Sequence, residues 1–390
     1  MATLLKNTSG SLRLKIGYNG KLGGWVIPWP ANLHTHLRWL PEMMQLVVPE
    51  SAQLYWLVTA MPNLQADRIL TVTQMISYTK KVLNIVESRD LDLQVMVPRY
   101  LEPETTVAMI KDAAEAQRIC NSPIPYFSLA KLYPRGGTTN SAEGVDFRQL
   151  HELSPVFGAM AEHNQILLIH AEPQHTHDGA DIDLFKREEA SIPYIDTLLR
   201  AVPKLKVVIE HASSRSMIEA IRRWREEGYA VQMSVAPQYL AWNRNKLFEG
   251  GMNPAWYSIP VLKEEGDRLA LIQAALSGLG FLGTDSAPHP VGSKTKACGC
   301  AGGVFNEPVS LGVYFDTFRT HGGEDWFEQF VDFACYRGPD FYGIPRDVHP
   351  EGGLLIKEQP WKVPNEYRNG DLAVIPMYAG QDVPYTIERL

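Results

Sequence analysis

Along most of the chain, short β-rich runs alternate with stretches of helical periodicity, and this alternation constrains the fold more than any single motif. "AQLYWLVTA" precedes "ADRILTVTQMISYTKKVLNIVES", and "DLQVMVPRY" precedes "ETTVAMIKDAAEAQRI". The pattern continues through "YFSLAKLY", "QILLIHAE", "LKVVIEHAS", "AVQMSVAP" and "GFLGTDSAP". With the run that ends in "ANLHTHLR", these make eight candidate strands joined by mostly helical connections. That points to an α/β fold of the closed (β/α)8 type rather than an open sheet. The 390 residues suit one large barrel with additions as well as two average domains, so length alone does not choose.

Both ends read as additions: residues 1–24 as a hairpin-like extension, 25–345 as the barrel, and 346–390 as a segment packing on it. "SLRLKIGYNGKLGGWVI" carries Asn19-Gly20 between two apolar runs, a hairpin signal, and "GDLAVIPMYAGQDVPYTIE" is expected to pair as two closing strands. "QYLAWNRNKLFEGGMNPAWYSIP" is too polar and too rich in Gly and Pro for a core and reads as a loop over the barrel mouth.

Composition excludes several classes. Apolar residues are 45% and charged residues 21%, without low-complexity blocks, which argues against disorder. A formal charge of −7 gives no phosphate-binding footprint, so nucleic acid is not an expected partner. No apolar run approaches a membrane span or a signal peptide, so a soluble cytoplasmic protein is expected. The four cysteines form no disulfide framework; Cys298 and Cys300 read as small residues in a tight turn, with metal binding the minor alternative.

Five candidate strands end on a residue able to bind metal: His34 and His36, Lys131, His170, His211 and Asp285. Alternating side chains put His34 and His36 on one face of their strand. In a barrel the C-terminal strand ends converge on one face, so these residues can meet around one centre. Singly, each histidine reads equally as a satisfied strand-end residue, and Asp285 as a turn residue. Lys131 inside an apolar strand must reach water or be paired, because an unpaired buried ammonium is costly. A second HTH, His175 to His177, lies in acidic, glycine-containing surroundings and reads as a solvated loop with no ligand role.

"HTHLR", "MPN", "KLYPRGGTTNS", "IHAE", "DIDLFKRE", "EHAS", "APQYLAWNRN", "YSIPVLK", "FLGTDSAPH" and "CGCAGG" occur in the order seen in class II dihydroorotases, the homodimeric type within the amidohydrolase superfamily. The resemblance covers roughly residues 25 to 345. It implies a metal-dependent amidohydrolase barrel that interconverts N-carbamoyl-L-aspartate and L-dihydroorotate in pyrimidine synthesis. It further implies one zinc on His34, His36 and Asp285, another on His170 and His211, and carboxylated Lys131 bridging both. Asp285 is then the proton carrier. Arg38, Asn63 and His289 match positions that hold the substrate carboxylate, Ile259 and Ala301 match those offering backbone groups to the ring, and Thr138 and Thr139 match a mobile covering loop.

The chain departs from the family pattern at Asn32, where Asp is common, at "WLPEMM" after Arg38, where an Asp-Gly step is usual, and at Arg135-Gly136-Gly137 in the covering loop. Asn32 is expected to bear on the support of His34. Two rival readings remain at this stage. One is a hydantoinase or dihydropyrimidinase-like cyclic amide hydrolase, which would share the metals but not the carboxylate-holding residues. The other is a non-catalytic dihydroorotase-like structural partner, which would lack some of the ligands.

Overall fold

A computed structural model of the chain describes residues 4–6, 12–64, 68–296 and 298–390, with backbone alone for 4–6 and 12–14. The barrel strands are β1 (Ala31–Thr35), β2 (Leu57–Ala60), β3 (Gln94–Met96, resumed at Arg99–Leu101), β4 (Leu129–Leu132), β5 (Ile166–Ile169), β6 (Lys206–Ile209), β7 (Val231–Val235) and β8 (Phe281–Leu282). Each pairs in parallel with its neighbour. β8 returns to β1 through Asp285 N–H to His34 O (2.8 Å) and His36 N–H to Ser286 O (2.9 Å), which closes the (β/α)8 barrel. The strands are nearly continuous apolar runs because both of their faces are covered. β3 changes partner across Pro98, which has no N–H to give to a ladder: its first piece pairs with β2, its second with β4.

The helices follow from capping and periodicity. Val72–Ser88 starts on a capping box in which Thr71 Oγ1 accepts from Gln74 N–H and Gln74 Oε1 accepts from Thr71 N–H. Arg215–Glu226 starts at Ser214, which caps Met217 N–H, and buries Met217, Ile218, Ile221 and Trp224 at helical spacing.

Three expectations are corrected. The "AQL" of "AQLYWLVTA" closes the helix Pro41–Leu54 instead of opening a strand; a short apolar run buried on either element does not discriminate between them. The segment after β7 is not all loop, since Tyr239, Leu240, Trp242 and Leu247 are core residues and Pro237–Ala241 is helical. The C-terminal runs do not pair with each other: Leu372–Val374 pairs with Tyr367–Asn369, and Asp382–Val383 with Trp361–Lys362.

Thr386–Arg389 pairs with Gly353–Lys357, which pairs in turn with Gly24–Pro28, and that strand forms a hairpin with Gly17–Asn19 across the Asn19-Gly20 turn. Chain segments from both ends thus share one four-stranded antiparallel sheet. The remainder of the expected N-terminal extension, residues 1–3 and 7–11, lies outside the described residues. Among the described residues, no helix is long and apolar enough to cross a membrane.

Candidate metal centre

His34 and His36 project from β1 to the same side, and Asp285, just past β8, places Oδ1 3.3 Å from Nε2 of each. One donor atom from each of the three lies within 4.8 Å of the others. The rings of His170 and His211 follow at the ends of β5 and β6, 4.6 Å apart between centroids, with His34 5.1 Å from His211. Lys131 on β4 is fully buried, its Nζ 3.8 Å from Glu210 Oε1 and without a hydrogen bond among the described residues. Six donors spread over some 250 positions therefore meet at one barrel mouth.

The electrostatics are those of a dry, crowded site. Burial pushes the Asp285 carboxyl up, but hydrogen bonds from His34 and His36 and the nearby His211 outweigh it and leave it well below the usual range. Burial, then His170, drives His211 well below an ordinary histidine, so its imidazole is neutral. Burial lowers Lys131 to about 8 against the pull of Glu210 and Asp285. The neutral imidazoles of His36, His170 and His211, an ionised carboxylate and an easily deprotonated amine suit a divalent metal; burial lowers His34 too, but Glu210 and Asp285 beside it outweigh burial and leave it above an ordinary histidine. Buried polar atoms without a hydrogen bond among the described residues, Lys131 Nζ, His211 Nδ1 and Glu210 Oε1, fit the same requirement. Arg38, His211 and Asp285 all hold positive φ (64°, 41° and 47°), a strained backbone conformation for side chains of this kind.

Two carboxylates inside the quoted motifs, but given no role there, stand beside these donors. Glu210 Oε2 lies 2.7 Å from His34 Nδ1, in ion-pair geometry, leaving Nε2 towards Asp285. Glu172 Oε2 lies 3.1 Å from His170 Nε2, and Lys263 Nζ lies 3.8 Å from Glu172 Oε1. The signal was present in "IEHAS" and "IHAEP": a carboxylate beside an apolar strand end poses the same burial problem as Lys131. Asn32 makes no hydrogen bond to the His34 ring among the described residues. Its Oδ1 accepts from the backbone N–H of His34 and Thr284, and its Nδ2 donates to Thr284 Oγ1 and Glu307 Oε1, tying β1 to β8.

Beside the donors opens a cavity of about 370 Å³ lined by His36, Arg38, Asn63, Thr139, His289 and Ala301, with Trp39, Leu40, Met43 and Met61 as an apolar arc. Arg38 Nε donates to Pro288 O, and its Nη2 lies 3.0 Å from His289 Nε2, which is also 3.0 Å from Gly302 O. The imidazole tautomer decides which of the two it bonds. No carboxylate stands within 4 Å of the Arg38 guanidinium among the described residues. Asn63 Nδ2 donates to Thr139 O (2.9 Å), and Asn140 Nδ2 donates to Asn63 O (3.0 Å), so the covering loop lies against the cavity.

The remaining expected substrate residues are placed differently. Thr138 and Ile259 do not reach the cavity wall; Ile259 packs on Gly302, where a Cβ would stand 2.8 Å from it. Ala301 N–H is already given to Ser293 O. His175, in the second HTH, is exposed and pairs with Asp181, not with these donors.

No protein-family model matches the chain. It is 36% identical over 367 residues to a dihydroorotase of Halorhodospira halophila, covering 93% of this chain and 99% of that one. It is 35% identical to a mitochondrial dihydroorotase of Arabidopsis thaliana, covering 92% and 90%. Among solved structures, Saccharomyces cerevisiae dihydroorotase in complex with 5-fluoroorotic acid superposes with a TM-score of 0.83 at 28% identity, over 93% of this chain and 97% of that one. An L-hydantoinase of Arthrobacter aurescens shares the fold, with a TM-score of 0.75 at 15% identity over 99% and 87%. The chain belongs to the dihydroorotase family.

Proposed function

We propose that this chain interconverts N-carbamoyl-L-aspartate and L-dihydroorotate, the ring-closing step of pyrimidine synthesis, at the mouth of the barrel. The observation that carries this reading is Arg38, a guanidinium without a carboxylate partner that faces the cavity two residues beyond the ligand pair His34 and His36. A planar guanidinium forks onto a carboxylate, so a cyclic amide that bears one is held with its ring beside the donors. Hydantoin and dihydrouracil offer no such group.

In this reading His34, His36 and Asp285 would hold one zinc and His170 and His211 a second, with Lys131, carboxylated on Nζ, as the anionic oxygen ligand that the pair would need. Bound metal supplies Lewis-acid polarisation of the scissile carbonyl and an acidified water. Asp285 takes the proton in ring opening and delivers it to the departing ring nitrogen; in ring closure it removes the proton of the carbamoyl nitrogen. Asn63 and His289 complete the carboxylate wall around Arg38, with Ala301 beside the ring and Ile259 behind it, packed on Gly302. The Thr138–Thr139 loop, tied to Asn63, excludes water. A cytoplasmic homodimer is the working form that the family resemblance suggests.

The test pairs metal analysis with a substrate panel of dihydroorotate, carbamoyl aspartate, hydantoin and dihydrouracil. We expect two divalent ions per chain and turnover of the first two compounds alone. Turnover of the last two without the first would assign the protein to the hydantoinase type, and none on any would support the structural-partner reading. Ring closure removes a carboxylate charge and consumes a proton, so the equilibrium share of dihydroorotate rises as pH falls.

A further inference from the structure

Lys294, at the end of the short helix Val291–Lys294, is buried with 3% exposure, yet has no carboxylate within ion-pair distance among the described residues. Its three ammonium protons go instead to three backbone carbonyls, those of Tyr257, Ala301 and Gly303, each at 2.8 Å. An ammonium has three donors, so this socket uses all of them. The carbonyls belong to two separate chain segments. One, around Tyr257, leads into Ile259; the other, 301–303, carries Ala301 into the cavity wall and presents Gly302 O to His289.

The two segments are close-packed where Lys294 joins them. Gly303 N–H donates to Tyr257 O, a Cβ on Gly302 would strike Ile259, and one on Gly303 would stand 2.5 Å from Ala287 O. We propose that Lys294 is the positioning residue of the carboxylate-recognition wall. Its ammonium gathers the two segments and thereby sets Ala301 and His289 against Arg38, and it adds a second unpaired positive charge behind the guanidinium. The proposal rests on the reading of this cavity as a carboxylate trap. Burial, opposed by Cys300 and reinforced by Arg38, lowers Lys294 to about 8, which leaves it charged at neutral pH.

The test compares Lys294→Met, which keeps length and removes the donors, with Lys294→Arg, which keeps the charge, in the metal-loaded protein. Lys294→Met should raise KM for dihydroorotate and carbamoyl aspartate by about 10- to 100-fold, the scale expected when a substrate-binding wall is misplaced, with kcat within about threefold. Metal content and inhibition by acetohydroxamate, an uncharged metal-directed probe, should stay unchanged, and Lys294→Arg should recover part of the KM. An unchanged KM, or a loss of kcat, metal and hydroxamate binding together, makes Lys294 a structural residue only and overturns the proposal. If Lys294→Met does not fold, Lys294→Gln replaces it under the same criteria. Wild-type protein inactive on dihydroorotate overturns the proposed function and the clamp with it, whereas active wild type with unaltered variants overturns the clamp alone.

Discussion

Glu210 Oε2 stands 2.7 Å from Nδ1 of His34, so a carboxylate two strands further round the barrel from Lys131 leaves Nε2 of that ring turned to Asp285. The same carboxylate group lies 3.8 Å from Lys131 Nζ and accepts from Ser234 Oγ, linking three strands behind the donors. Glu210→Gln keeps the shape but removes the charge that steadies the His34 tautomer. Metal affinity should fall about 10- to 100-fold, the usual cost of losing a partner behind a ligating histidine. Competition with a chromophoric chelator measures it, and unaltered affinity would remove Glu210 from the centre.

In the proposed mechanism Asp285 is both ligand and proton carrier, and Asp285→Asn separates the two. Asparagine can still offer an oxygen to the metal but cannot accept a proton. With metal content retained, kcat should fall by about 10²- to 10⁴-fold, the range for losing a positioned general base. A variant that held its metal and turned over at a near-normal rate would contradict the assignment.

Asn32→Asp tests the tie between β1 and β8. The asparagine donates to Glu307, whose carboxyl is pushed up by burial against hydrogen bonds from Ser51, Thr284 and Asn32. An ionised aspartate there has no proton to donate and sets a second carboxylate beside the first, both fully buried. One must then stay protonated, so the variant should lose stability as pH rises through the carboxylate range, by about 3–5 kcal/mol at neutral pH, the scale for an uncompensated buried charge. Urea unfolding at pH 5 and pH 7 measures this, and equal losses at both would exclude charge repulsion as the cause.

The alternation of strand and helix and the polar residues at five of the eight strand ends were legible because both are local patterns. His34, His36, Lys131, His170, His211 and Asp285 all sit where a barrel gathers its strand ends. What was not legible depends on long-range contact. Nothing near Lys294 in the sequence points to the Tyr257 carbonyl, and Glu210 could be assigned a partner only once β6 lay near β1. The positive φ of Arg38, His211 and Asp285 has no sequence signature, since none is a glycine. "AQL" failed for a different reason: an apolar run of that length is equally consistent with the end of a buried helix.

His289 gives the last prediction. Burial, then Arg38 and Lys294, drive its imidazole down to about 2, so it is neutral wherever the protein is folded. KM for dihydroorotate should therefore show no inflection near 6.5 from this residue, although an ordinary histidine facing a substrate carboxylate would give one. The unfolded chain does bind a proton there below about 6.5, while the folded chain does not, so this residue's contribution to stability is complete above 6.5 and is lost on acidification. The loss runs at about 1.4 kcal/mol per pH unit once the unfolded imidazole is fully protonated. His289→Asn keeps a neutral hydrogen-bonding side chain and removes the titration. Between pH 7 and pH 5 its unfolding free energy should fall by about 2 kcal/mol less than that of the wild type, and parallel pH profiles would mean that His289 is protonated in the folded protein.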